Sequence, residues 1–191
     1  MTKRRLVAAL IASVAGTAFG ASETYVIDPM HTYPSLEFSH FGISVWRGKF
    51  ARSSGTISID RAAKTGSVDI LVDPASIDFG LAAMDEEARS ANFFDVAKYP
   101  TATYKGTLKF VGNAPATIEG EITLLGVTHP LTLTINSSKC VPHPFYKKEV
   151  CGADAQGELN WSQFGMKMSN FGEGEAGKTL LRIQVEAMKP D

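Results

Sequence analysis

Period-two alternation of apolar and polar residues recurs along this chain and constrains its fold more than any other feature. Val68, Ile70 and Val72 alternate with Ser67, Asp69 and Asp73. Ile118, Ile122 and Leu124 share a parity opposite Thr117, Glu119, Glu121 and Thr123. Leu131, Leu133 and Ile135 repeat the pattern, as do Leu181, Ile183, Val185 and Ala187. Side chains alternate across a strand, so each segment presents one dry and one wet face, as antiparallel strands do. A polar break at residues 60–66 separates two strands, and residues 126–130 read as a hairpin joining strands 118–125 and 131–135. Further strands are expected near residues 24–28, 35–41, 45–50, 54–59, 102–110 and 153–161. Eight to ten strands can close into a barrel or pack as a sandwich.

One stretch departs from period two. Residues 81–89, Leu-Ala-Ala-Met-Asp-Glu-Glu-Ala-Arg, are helix formers, with Leu81, Met84 or Asp85, and Ala88 at helical spacing. Asp78 is the expected N-cap and Asn92 the expected terminator. The expectation is an all-β, antiparallel domain with one short covering helix acting as a lid or end-plug.

The start of the chain has the form of a cleavable signal peptide. Lys3, Arg4 and Arg5 precede an apolar run over residues 6–19, and Ala18 and Gly20 suit cleavage before Ala21. The run is shorter than the ~20 residues that span a bilayer, and no later segment is apolar enough to do so. Residues 1–20 are therefore expected to be a leader and 21–191 one barrel-sized domain exported to the periplasm. Without Lys3, Arg4 and Arg5 the net charge moves from −1 to about −4, which gives no attraction to nucleic acid. Cys140 and Cys151 are the only cysteines. In an oxidising compartment such a pair reads as a disulfide, whereas a metal site built with His143 lacks a fourth ligand.

Catalytic constellations are sparse. His31, His40, His129 and His143 show no metal-ligand spacing, and Asp85, Glu86 and Glu87 are adjacent, so they point in different directions on a helix. There is no nucleophile-elbow motif and no phosphate loop. No catalytic residue, metal or cofactor is expected. Aromatic residues crowd the first half of the chain, among them Phe38, Phe41, Trp46, Phe50, Phe79, Phe93, Phe94, Tyr99 and Tyr104. On a barrel interior they either fill the core or line a slot for an apolar ligand, and composition does not choose between these.

Several stretches taken in order resemble the YceI-like family, periplasmic lipocalin-like barrels associated with polyisoprenoid binding. They are Tyr25-Val26-Ile27-Asp28-Pro29-Met30-His31, Phe38-Ser39-His40-Phe41-Gly42 with Val45-Trp46-Arg47-Gly48-Lys49-Phe50, and Ala75-Ser76-Ile77-Asp78. Asn92-Phe93-Phe94-Asp95, Leu125-Gly126-Val127-Thr128-His129-Pro130 and Phe164-Gly165-Met166 continue the match. The chain departs from the family at Glu87-Ala88-Arg89, Leu159-Asn160-Trp161-Ser162 and Tyr33-Pro34, and only some relatives carry the Cys140–Cys151 loop.

The resemblance implies a lipocalin-like barrel with a tunnel that binds and sequesters or transports a long-chain isoprenoid, polyprenyl or quinone-type, or a similar amphiphile. Phe38, Trp46, Phe50, Phe79, Phe93, Phe94 and Tyr104 are the expected wall residues. His31, His40 and Asp85 are the expected polar residues near an opening. Family members can pair as homodimers. Two other readings stay open: a ligand-free structural or stress-related protein with a filled barrel, and a metal-assisted enzyme using His31 and His40.

Overall fold

A computed structural model describes residues 21–166 and 177–190, so the expected leader lies outside the described residues. The strands are β1 (Glu23–Ile27), β2 (Tyr33–His40), β3 (Ser44–Phe50), β4 (Ser53–Asp60), β5 (Thr65–Val72) and the two-residue β6 (Ile77–Asp78). A helix α1 (Ala82–Arg89) precedes β7 (Ala102–Val111), β8 (Ala114–Leu124), β9 (Val127–Pro142), β10 (Glu149–Asn160) and β11 (Lys178–Met188).

All the pairings are antiparallel. Strands β1-β4-β5-β7-β8-β9-β10-β11 form a ring that closes through β1 and β11, and β2, β3 and β6 extend from β11. Closure leaves no open edge in the ring, which is the advantage of a barrel over a sandwich. Strand β11 serves two neighbours on one side: Thr179–Gln184 pair with β2, and Ala187 and Met188 pair with β1. The gap between them is stapled by buried Thr32, whose hydroxyl donates to the Glu186 carbonyl (3.0 Å) and accepts from the Glu186 amide (3.1 Å).

Two bulges set which side chains face inward at one end. Asp154 pairs with Ser137 and Ala155 with Ile135, so Asn136 is the extra residue on β9. Inward parity therefore passes from Leu131, Leu133 and Ile135 to Ser138 and Cys140. On β8, Ala116 is skipped in the same way, and Pro115 turns inward opposite Phe110.

The turn after β8 is tighter than the sequence suggests. Leu124 pairs with Val127 across a two-residue loop in which Leu125 (φ 53°) and Gly126 (φ 74°) are both left-handed. That is the geometry of a type I′ hairpin, and residues 127–130 already belong to β9. Leucine is rare at positive φ, and Leu125 packs against the buried cluster at this end, which holds it there.

The helix differs in its caps. Leu81, not Asp78, is the N-cap, and it makes no side-chain cap bond; the helix ends at Ser90, not Asn92. Asp78 instead accepts from Gly80 N (2.7 Å), and Asp85 reaches back to accept from Phe79 N (2.7 Å). Arg89 donates to the carbonyls of Ala75 (2.9 Å) and Ile77 (2.8 Å), tying the helix to β6 and the segment before it. Met84 and Ala88 are its buried face.

Candidate functional site

The helix end of the barrel is filled. Leu36, Phe38, Ile77, Met84, Ala88, Phe93, Phe94, Leu124, Trp161, Phe164 and Met166 form one buried cluster, with Trp46, Phe50 and Phe79 against it. Phe38 meets Trp161 edge-on, with centroids 4.8 Å apart, and Phe50 meets Phe94 at 5.5 Å.

Beyond this plug the interior is open. A cavity of about 450 Å³ runs along the barrel, within the range of small-molecule sites. Its walls are chiefly aliphatic. The inward-parity apolar residues of the four alternating segments line it, from Val68, Ile70 and Val72 on β5 to Leu181, Ile183, Val185 and Ala187 on β11. Ile70, Ile183 and Val185 point inward yet are only half-buried, because they face empty lumen rather than packed neighbours. The blind end is floored by Phe94, Leu124, Trp161 and Met166. The indole nitrogen of Trp161 and the hydroxyl of Thr179, both buried near this floor, have no hydrogen-bond partner among the described residues.

Tyr104 crosses the wall midway. It lies over Gly120, where an added Cβ would fall 2.9 Å from Tyr104 Cζ and 2.4 Å from the Lys105 carbonyl oxygen. The hydroxyl has the carbonyls of Leu131 (3.0 Å) and Ile118 (3.1 Å) within reach and shares its one proton between them. Burial pushes the Tyr104 hydroxyl pKa up, so it stays a donor and shows the lumen an apolar ring.

The open end carries a polar rim at the turns β4–β5, β7–β8 and β9–β10. Arg61, Asn113, Lys139 and the Cys140–Cys151 disulfide line the mouth. The two cysteines are a directly opposed cross-strand pair. Arg61 pairs with Glu23 and with Glu149 (2.9 Å), and Lys189 with Glu23 (2.6 Å). Buried Tyr25 donates to Glu149. Burial and the Glu149 carboxylate push the Tyr25 hydroxyl up. The hydrogen bond from Tyr25, opposed by burial and helped by Arg61 and Lys189, holds Glu149 below the usual carboxylate range. Glu23 and Glu149 are thus balanced by Arg61 and Lys189, and Lys139 adds a further cation at the mouth.

The residues expected from sequence are distributed unevenly. Phe50, Phe94 and Tyr104 line the cavity. Phe38 and Phe93 sit inside the plug, and Trp46 and Phe79 line a separate depression with Leu81 and Met84. Asp85 is engaged with Phe79 N, His40 stacks on Trp46 at 4.4 Å, and His31 pairs with Asp28 at 2.7 Å on the outer surface. His31 and His40 flank opposite ends of β2, on the order of 25 Å apart at strand rise, so they are not brought together. His143 accepts from the amides of Phe145 and Tyr146, and the disulfide leaves Cys140 and Cys151 no free thiolate for a metal. The sequence reading missed Tyr25, Arg61 and Trp161. Tyr25 shares parity with Ile27 and was legible as inward-facing, whereas Arg61 sits in a turn with no local signal.

The fold is an eight-stranded closed barrel whose aliphatic lumen has room for one elongated apolar molecule. The chain belongs to the YceI-like family: the YceI-like domain profile matches residues 25–187. A UPF0312 protein of Pseudomonas savastanoi is 33% identical over 199 aligned positions, covering 99% of each chain. One from Vibrio cholerae is 37% identical over 136, covering 69% of this chain and 72% of its own. Among solved structures, a Campylobacter jejuni YceI protein superposes with TM-score 0.68 at 25% identity, over 80% of this chain and 90% of that one. A polyisoprenoid-binding domain from Saccharophagus degradans gives TM-score 0.60 at 13% identity, over 87% and 98%; at that identity the likeness concerns the fold.

Proposed function

We propose that this protein is a periplasmic binding protein that holds the tail of a long-chain isoprenoid, or a similar amphiphile, inside its barrel and catalyses no reaction. The observation that carries the reading is the blind aliphatic cavity of about 450 Å³ with a polar rim at one end only. That asymmetry matches an amphiphile, with its tail inside and its head at the rim. The related fold of a polyisoprenoid-binding domain supports the ligand class. The leader-like residues 1–20 and the Cys140–Cys151 disulfide support export to an oxidising compartment.

Magnitudes favour long tails. Each buried methylene contributes about 0.8 kcal/mol. Lost rigid-body freedom costs roughly 4–15 kcal/mol. A tail of a few carbons barely offsets that cost, whereas about fifteen methylenes supply ~12 kcal/mol. Smooth apolar walls discriminate length and width more than chemical identity.

Trp161 at the blind end is a built-in reporter, and with Trp46→Phe it is the sole tryptophan. Titrating delipidated protein with prenyl alcohols of increasing length tests the reading. A saturable change in Trp161 fluorescence that strengthens with chain length supports it. No change at any length sinks it.

A further inference from the structure

We infer that the tip of the β9–β10 hairpin, residues 141–148, docks the open end of the barrel onto an anionic lipid bilayer. Phe145 is 83% exposed and Tyr146 63% exposed. Two adjacent aromatic side chains held in water have no role in the barrel's packing, and aromatic residues partition to the bilayer interface.

The tip is ordered in this display. His143 Nδ1 accepts from the amides of Phe145 (3.2 Å) and Tyr146 (3.3 Å), and its ring stacks on Tyr146 at 4.5 Å. The His143 amide donates to the Lys148 carbonyl (2.6 Å), Pro142 and Pro144 stiffen the chain, and the disulfide ties the hairpin's stem. A preformed tip loses little freedom on docking.

Charge selects the partner. Residues 139–148 contain Lys139, Lys147 and Lys148 and no carboxylate. The carboxylate that follows, Glu149, is engaged by Arg61 and Tyr25. Lys64 on the β4–β5 turn and Val111, 75% exposed at the β7–β8 turn, belong to the same end of the barrel. Lysines interleaved with exposed apolar side chains complement an anionic headgroup layer. Lys139 and Cys140 also line the cavity mouth, so docking sets the lumen against the bilayer surface. The docking rests on this end of the barrel as a surface; its use, passing a lipid between bilayer and lumen, rests on the carrier reading above.

Flotation of the purified processed chain, residues 21–191, with vesicles tests this, comparing phosphatidylglycerol–phosphatidylethanolamine with phosphatidylcholine. Binding to the anionic vesicles is expected, weakened by salt. It is expected to fall about tenfold on the neutral vesicles and in the variants F145S/Y146S and K147E. Those positions are on the tip outside the barrel's packed interior, so the thermal melt and lumen lipid content of both variants are expected to be unchanged. Absence of flotation, or flotation equal across both vesicle types and both variants, overturns the proposal. So does capture of an acidic protein at the tip without vesicle binding. Lumen lipid without flotation defeats the docking alone; flotation without lipid uptake defeats the carrier reading and leaves the docking.

Discussion

The hydroxyl of Thr32 bonds both the amide and the carbonyl of Glu186, filling the place in the ladder where β1 has ended and β2 has not begun. Thr32→Val keeps the shape and leaves the part-buried Glu186 amide unpaired, while the Glu186 carbonyl keeps its bond from the Asp28 amide (2.9 Å). It is expected to cost about 1–3 kcal/mol in denaturant unfolding. Thr179 is equally buried, but its hydroxyl has no partner among the described residues. Thr179→Val is expected to be neutral or slightly stabilising, because no bond is lost and a buried polar atom is removed. Equal costs for the two substitutions would contradict the hydrogen-bond assignment.

The Cys140–Cys151 link closes a short loop, so its loss is expected to destabilise by about 2–3 kcal/mol in the chain-entropy model. The double serine variant should melt lower with the same far-ultraviolet circular dichroism spectrum. An unchanged melting temperature would show that the rim ion pairs hold the hairpin without it.

Asp28 and His31 make stability depend on pH in two directions. Burial raises the Asp28 pKa, but hydrogen bonds from His31 and the Met30 amide, with the His31 charge, bring it below the ordinary carboxylate value. The hydrogen bond and charge of Asp28 raise His31. The Asp28 contribution is present above its unfolded pKa and is lost as pH falls through the lowered folded value. The His31 contribution is present below its unfolded pKa and is lost as pH rises through the raised folded value. The stability difference between the native chain and Asp28→Asn is therefore expected to peak between about pH 4 and 6.5 and shrink on either side. A proton NMR titration of His31 should show its raised pKa fall in that variant, and an unmoved titration would contradict the pairing.

Lumen and plug respond differently to substitution. Ala153 faces the lumen near the rim, opposite Val185. Ala153→Trp places an indole in the tunnel and is expected to abolish lipid uptake while the fold persists. Phe94→Ala removes a plug residue and is expected to cost about 3–5 kcal/mol of stability. Uptake measured beside denaturation separates the two, and undiminished uptake in Ala153→Trp would place the ligand elsewhere.

The barrel was legible in the sequence because period-two alternation reports an inward face directly. The residues at 68, 70 and 72, at 131, 133 and 135, and at 181, 183, 185 and 187 are lumen wall. The alternation could not carry past Asn136, since a bulge reverses parity without a local signature, and so the inward aim of Cys140 was hidden. The aromatic residues drew attention as candidate walls because they bury the most area. Much of that area packs aromatic on aromatic in the plug, as in Phe38 on Trp161, and the tunnel is left to aliphatic side chains. Arg61 became visible only in three dimensions, where it meets Glu23 and Glu149 from distant strands.

Mass spectrometry of the intact protein purified from its native host, with its organic extract analysed in parallel, tests the central claim most directly. One long-chain prenyl or related amphiphile per barrel is expected, absent from Ala153→Trp prepared alongside. A ligand-free mass for the native chain, with no uptake of added prenyl lipid, would contradict the carrier reading and leave the lumen an empty structural feature.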